Sequence, residues 1–423
     1  MLLVLLPGSA GAAGPLAQRE TLANGAVLLV VERPAIPIVV LRVAVPAGTV
    51  HDPADALGLA NLTAELITRG TARRSAPELD RTIEFVGGSL EAGAGRDGAT
   101  VSLSVLKKDL DLGLDLLAEV LLQPTFPPDE FERKVADIQA SIHRSEENPE
   151  AVAGRALAPL VFPGHPYGRP ASGTVESVGK LTRDQVATFY RRYYRPDGAS
   201  IVAVGDITAP EIREAVMRRL AGWTAPSQPV NKIPAPAATV RPETRMIKRD
   251  LSQSTVLLSR PTIRQTDPDY FPLAVATYIL GGGSASRLYT RVREEKGLAY
   301  SVYASAFPAR YGASHIVSLQ TRTDSVTEAV RLAREEMARM GREPVAPGEL
   351  DLAKAYLIGS FPLRLDTSGK LAGFVGALEE NGLGLDYPDR YKERIGRVTT
   401  ADVQRVAAKY LDPATYSSVV VGK

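Results

Sequence analysis

The sequence predicts an α+β fold of two homologous domains, each an antiparallel-rich sheet packed with helices, joined by a Pro-rich linker. Three observations lead there. Residues 178–205, VGKLTRDQVATFYRRYYRPDGASIVAVG, align without a gap on residues 395–422, IGRVTTADVQRVAAKYLDPATYSSVVVG, 217 positions further on. Between the copies, residues 224–242 (TAPSQPVNKIPAPAATVRP) hold five prolines and few large apolar groups, so they cannot build a core and should run as an extended connector. Elsewhere strand-like runs in hairpin-like series alternate with helix pairs, which favours an antiparallel-rich sheet over a doubly wound parallel one.

The order of elements is set by local signals. ANGAVLLVVE, PIVVLRVAVPAG and GATVSLSVL read as strands, and LDLGLDLLAEVLL and FERKVADIQASIHRSEEN as helices. In each repeat copy a threonine, Thr182 or Thr399, precedes Gln185 or Asp402 by three residues. That is a capping-box pattern, in which side chains satisfy backbone N–H groups that the first helical turn leaves free. Val186, Phe189, Tyr190 and Tyr193, matched by Val403, Val406, Ala407 and Tyr410, then make one buried stripe at helical spacing. Pro196 and Pro413 end these helices because proline has no N–H to continue the ladder, and strands at Ile201–Val204 and Ser418–Val421 come next. Beyond the linker, QSTVLLSR, LAYSVYASAF and SHIVSLQT are strands; FPLAVATYILGG, SVTEAVRLAREEMARM and PGELDLAKAYLIGSF are helices. The expected division is a signal peptide at 1–16, an N-terminal domain at 17–223, the linker at 224–242 and a C-terminal domain at 243–423.

Composition excludes several function classes. With 50 basic and 48 acidic residues among 423 the chain has no basic stripe for displacing counterions from nucleic acid. With no cysteine there is no disulfide framework and no thiolate metal or redox site. MLLVLLPGSAGAAG is a short apolar run with small residues after it, the pattern of a signal peptide, although it lacks a basic start. Export to the periplasm is expected, with cytoplasm as the alternative. No later stretch is apolar enough to span a membrane.

Familiar catalytic constellations are missing. His51, His143, His165 and His315 are the whole imidazole supply, and no two are spaced to present a pair to zinc from one helix. Neither a G-x-S-x-G elbow nor a phosphate-binding loop occurs. Gly281, Gly282 and Gly283 come directly after a helix, and two readings stay open for them: a helix exit needing φ > 0, or a mobile loop whose bare backbone approaches a peptide.

GLANLTAELITRGT, residues 58–71, resembles the zinc helix of the inverted-motif metallopeptidases, the pitrilysin, insulysin and mitochondrial-processing-peptidase family, whose pattern is G-L-A-H-x-x-E-H ending in a G-T turn. FERKVADIQASIHRSEENPEA, VFPGHPYGRP and SGTVESVGKLTRDQVATFYRRYYRPDGASIVAVGDI resemble the family's segments downstream of that helix, and GGGSASRLYTRVREEKGLAYSVYA resembles the signature of its second domain. The likeness covers nearly the whole chain from about residue 20. In that register Asn61 and Glu65 stand where the family has zinc-binding histidines, Ala64 where it has the glutamate base, and Ser141 near its distal glutamate ligand. Zinc hydrolysis needs three protein ligands, an open site for water and a base to take the proton. All four positions have changed, so no metal is expected in this chain.

A second family feature survives, the arginine and tyrosine seven residues apart, here Arg293 and Tyr300 in VREEKGLAY. The resemblance implies that this pair, with Gly281, Gly282 and Gly283, binds the substrate backbone, the phenol donating to the developing oxyanion. The bland alternative has Arg293 at a helix end beside Lys296 and Tyr300 in the core. The resemblance thus implies a non-catalytic subunit of a heterodimeric zinc metallopeptidase. It would be inactive alone, bind peptide or unfolded protein, and complete the active site of a zinc-binding homologous subunit in trans. The alternative is a catalytically dead scaffold or peptide-binding protein of the same fold; an active peptidase with an unusual metal site is a third.

Overall fold

Each half of the chain is organised around one buried strand with a parallel neighbour on one side and an antiparallel neighbour on the other. In the computed structural model, which describes residues 15–423, the strands are β1 (Gln18–Thr21), β2 (Val27–Glu32), β3 (Ile38–Val45), β4 (Ser89–Ala94), β5 (Ala99–Leu106), β6 (Ser200–Gly205), β7 (Thr244–Lys248), β8 (Gln253–Thr262), β9 (Ala299–Pro308), β10 (Ala313–Arg322) and β11 (Ser417–Gly422). The expected signal peptide lies, but for its last two residues, outside the described residues. One sheet has the order β1-β2-β6-β3-β5-β4 and the other β7-β11-β8-β10-β9. β6 runs parallel to β2 and antiparallel to β3; β11 runs parallel to β7 and antiparallel to β8. Apart from the extra edge strand β1, the two sheets correspond strand for strand.

The repeat read from the sequence holds to the residue. The capped helices are Arg183–Tyr193 and Thr400–Tyr410, and Thr182 and Thr399 each accept from the backbone N–H three residues on, that of Gln185 and of Asp402. The expected strands and helices are present with small shifts of their ends. The linker carries no regular secondary structure, but it is pinned. The Arg195 guanidinium donates to the carbonyls of Gln228 and Pro226, Arg192 donates to Asn231, and His165 meets the Pro234 carbonyl at 3.0 Å.

Packing crosses the linker. The helix Pro149–Val161, from the first half, lays Ala153, Leu157, Leu160 and Val161 against Leu257, Val419 and Val421 on the back of the second sheet. The helix Ser368–Glu380, from the second half, lays Leu371, Ala372 and Val375 against Leu29, Val202 and Val204 on the back of the first. The exchange is reciprocal and explains why every residue of β6 and β11 is buried. A strand covered on both faces reads as a continuous apolar run.

Candidate functional site

The helix Leu59–Leu66 carries the altered metal motif. The buried Asp52 carboxylate starts it by accepting from the backbone N–H groups of Gly58 and Ala60, each at 2.8 Å. Burial pushes that carboxyl up to about 7, against the opposing pull of these N–H groups and Arg169. Leu59, Ala60, Leu62, Thr63, Ala64 and Leu66 face the core, leaving Asn61 and Glu65, one turn apart, on the open side. There they line a cavity of about 320 Å³ with Ser141 and Ser145 of the helix Pro128–Glu146 and with Arg155 of the helix Pro149–Val161. The fold therefore does bring Asn61, Glu65 and Ser141 to one place.

The chemistry of that place is not that of a metal site. Asn61 Nδ2 donates to Glu65 Oε1 at 3.1 Å, and Lys134 Nζ donates to Glu65 Oε2 at 3.3 Å. The single carboxylate is thus committed to a neutral amide and an ammonium. An ammonium has only donors and cannot ligate a cation. Ala64 is fully buried and supplies no base. Among the described residues no group of three or more His, Cys, Asp or Glu side chains is placed to hold a metal ion. The donor set does not fit zinc.

None of the histidines repairs this. His51 is buried, stacks on Tyr193 at 4.6 Å, and among the described residues neither of its ring nitrogens has a hydrogen-bond partner. Burial, with Arg192 and Arg310 nearby, lowers its pKa to about 4. His165 accepts at Nδ1 from the Tyr167 N–H, so its Nε2 carries the proton that reaches Pro234. In the second half, the Tyr416 hydroxyl donates to the Tyr410 carbonyl, so His315 Nδ1 donates to Tyr416. His143 is exposed beside Glu146.

Arg293 and Tyr300 form a second cluster that does not line the Asn61 cavity. Arg293 sits in a seven-residue π-helix, Tyr289–Glu295, a geometry enriched at functional sites, which Gly297 at φ +61° brings to an end. Its guanidinium does not reach the helix-terminal carbonyls. Arg293 Nη1 donates to the Tyr289 hydroxyl at 2.7 Å, and the group lies 4.7 Å from the Tyr289 ring centre and 5.9 Å from that of Tyr300. Tyr289, which precedes Arg293 by one helical turn, was readable as its neighbour from that spacing alone. Tyr300 is 72% exposed, which excludes the core reading.

The reason lies in the strand pairing. Ser301 pairs with Gln320 while Ala299 pairs with Thr321, leaving Tyr300 as the extra residue of a β-bulge. Simple alternation would put Tyr300 on the buried side with Val302; the bulge turns it out beside the exposed Tyr303 and Phe307. Of the three glycines, Gly281 serves the same strand. None of Gly281, Gly282 and Gly283 has positive φ, so the helix-exit reading is corrected. A Cβ on Gly281 would stand 2.4 Å from the Ala304 N, and one on Gly282 would strike Tyr278. The bare backbone of Gly281 admits β9 against the end of the helix Tyr270–Gly281, while Gly282 makes room for Tyr278 of that helix.

A family profile described as "Insulinase (Peptidase family M16)" matches residues 27–175, and one described as "Peptidase M16 inactive domain" matches residues 180–357. Together they span well over half of the chain. The chain belongs to the M16 peptidase family. Its relatives include a protein of Streptomyces coelicolor named as an uncharacterized zinc protease, 28% identical over 95% of this chain and 89% of the relative. A Helicobacter pylori protein named as a non-peptidase homolog is 26% identical over 79% of this chain and 78% of its own length. Among solved structures, an M16 inactive domain from Pseudomonas fluorescens superposes with a TM-score of 0.90 at 28% identity, covering 96% of this chain and 97% of that one. The altered motif thus lies in a chain of this family.

Proposed function

We propose that this M16 chain is the non-catalytic subunit of a heterodimeric zinc metallopeptidase, exported to the periplasm, which binds peptide and completes the partner's active site with Arg293 and Tyr300. One observation carries the reading: a bulge turns Tyr300 out to solvent beside a guanidinium already held by Tyr289, in a chain whose own motif helix offers zinc no ligand set. A phenol placed at a developing oxyanion is worth ~10²–10³ in rate. The zinc and the base then come from the partner, and this chain contributes orientation and charge stabilisation. The test mixes the purified chain with zinc-bearing M16 homologues and monitors cleavage of a fluorogenic peptide. The chain alone should be inactive, the mixture active, and Tyr300→Phe should keep the complex while lowering turnover by ~10²-fold. Undiminished turnover in that variant would remove Tyr300 from the mechanism.

The scaffold reading draws on one specific contact. The hydrogen bond from Arg293 to Tyr289 is one that a purely structural arginine would also make. On that reading Arg293→Ala lowers the melting temperature and leaves the rate of every mixture unaltered.

A further inference from the structure

The cavity beside the motif helix holds two charged lining residues, Glu65 and Arg155. They are in opposite situations. Glu65 is neutralised by Lys134 and capped by Asn61. Among the described residues the Arg155 side chain makes a single hydrogen bond, from Nη2 to Ser145 Oγ at 2.9 Å, and no carboxylate lies within 4 Å of it. Ser145 accepts that bond because its own proton goes to the Ile142 carbonyl at 2.6 Å. The remaining guanidinium donors of Arg155 are not sealed in protein, since none of its nitrogens is buried without a partner. With the Glu65–Lys134 pair cancelled, the cavity is left with one uncompensated positive charge.

That charge is also held in place. Arg155 projects from the helix Pro149–Val161, whose opposite face is locked by Ala153, Leu157, Leu160 and Val161 onto the second sheet. A planar guanidinium with parallel N–H donors matches a carboxylate by two side-by-side hydrogen bonds. The Ser141 hydroxyl lines the same space and adds a donor. At about 320 Å³ the cavity is large enough for a terminal residue and too small for a folded chain.

We infer that this cavity is a carboxylate site, with Arg155 as its anchor, and that it takes the C-terminal carboxylate of a short peptide. The choice of a peptide as the source rests on the proposed function; the carboxylate chemistry does not. Where metal-bearing relatives would present a cation to a peptide bond, this chain presents a fixed guanidinium to a peptide end.

The experiment uses the full chain without any partner, so its outcome is independent of whether Tyr300 acts in trans. Anisotropy of an N-terminally fluorescein-labelled tetra-alanine is measured for the free acid and for the C-terminal amide, with sodium acetate as competitor. The free acid should bind about tenfold or more tightly than the amide, because one charge-assisted pair is lost. Arg155→Ala should abolish the difference, and Arg155→Lys, which keeps the charge and loses the fork, should retain part of it. Circular dichroism establishes that both variants fold. Equal binding of acid and amide, absence of binding by either, or an acid preference that survives in folded Arg155→Ala overturns the site. Acetate displacing the peptide at an equal concentration overturns the assignment to peptide ends.

Discussion

His51 shows how a single side chain can be present for its shape and still govern pH behaviour. It stacks on Tyr193, and neither ring nitrogen has a partner among the described residues, so the neutral form is favoured in place. Its folded pKa is lowered to about 4 from the ordinary 6.5. Stability from the neutral ring is therefore fully present above pH 6.5 and is lost as pH falls from there through 4. His51→Phe keeps the stack, loses no hydrogen bond and does not titrate. The variant should match the wild type above pH 6.5 and gain on it by ~1.4 kcal/mol for each pH unit below that, down to pH 4, in urea titrations. A constant difference across the range would mean that His51 is hydrated in place. Asp52, next in sequence, has the opposite sign: with its pKa raised to about 7, its contribution falls as pH rises, so only the difference between the two proteins isolates the histidine.

At the scale of elements the two capped helices offer a controlled comparison. Both caps use threonine, but the reciprocal acceptor is Gln185 in one and Asp402 in the other. Thr182→Ala and Thr399→Ala should each cost ~1 kcal/mol at neutral pH. Asp402 is held below the usual carboxylate range by the Thr399 hydroxyl, with burial opposing, so the cap's contribution is lost as pH falls through that lowered value. The Thr399→Ala penalty should shrink in acid while that of Thr182→Ala stays level; equal pH profiles by thermal denaturation would contradict this. Legibility obeys the same physics. Caps, stripes and alternating strands were readable because neighbours in sequence write them. The edge strands β1, β4 and β7 were not, because Gln18–Thr21, Ser89–Ala94 and Thr244–Lys248 have no row of buried residues to give them a period. The altered motif was readable at Asn61, Ala64, Glu65 and Ser141, yet Lys134 and Arg155, which decide the charge of the cavity, belong to faces brought there by other helices.

For the whole molecule, the exchange of helices makes each half depend on the other. Leu157 belongs to the first half by sequence and to the second by packing, against Leu257, Val419 and Val421. Leu157→Ala should destabilise by ~2–5 kcal/mol. Native-state hydrogen exchange should register the loss in β8 and β11 ahead of β3 and β5. Loss confined to the first sheet would show that the packing of this helix does not transmit to its host. The same exchange fixes the helix that carries Arg155 and so bears on the cavity as well as on stability.

By itself the sequence determined the duplication, the fold class and the altered residue types of the zinc motif, because capping, periodicity and ligand identity are properties of residues close together in the chain. Only the tertiary structure decided that Tyr300 faces outward, that each half borrows a helix from the other and that one guanidinium is left uncompensated beside the altered motif. Those depend on strand register and on contacts between segments far apart in sequence, which no local pattern encodes.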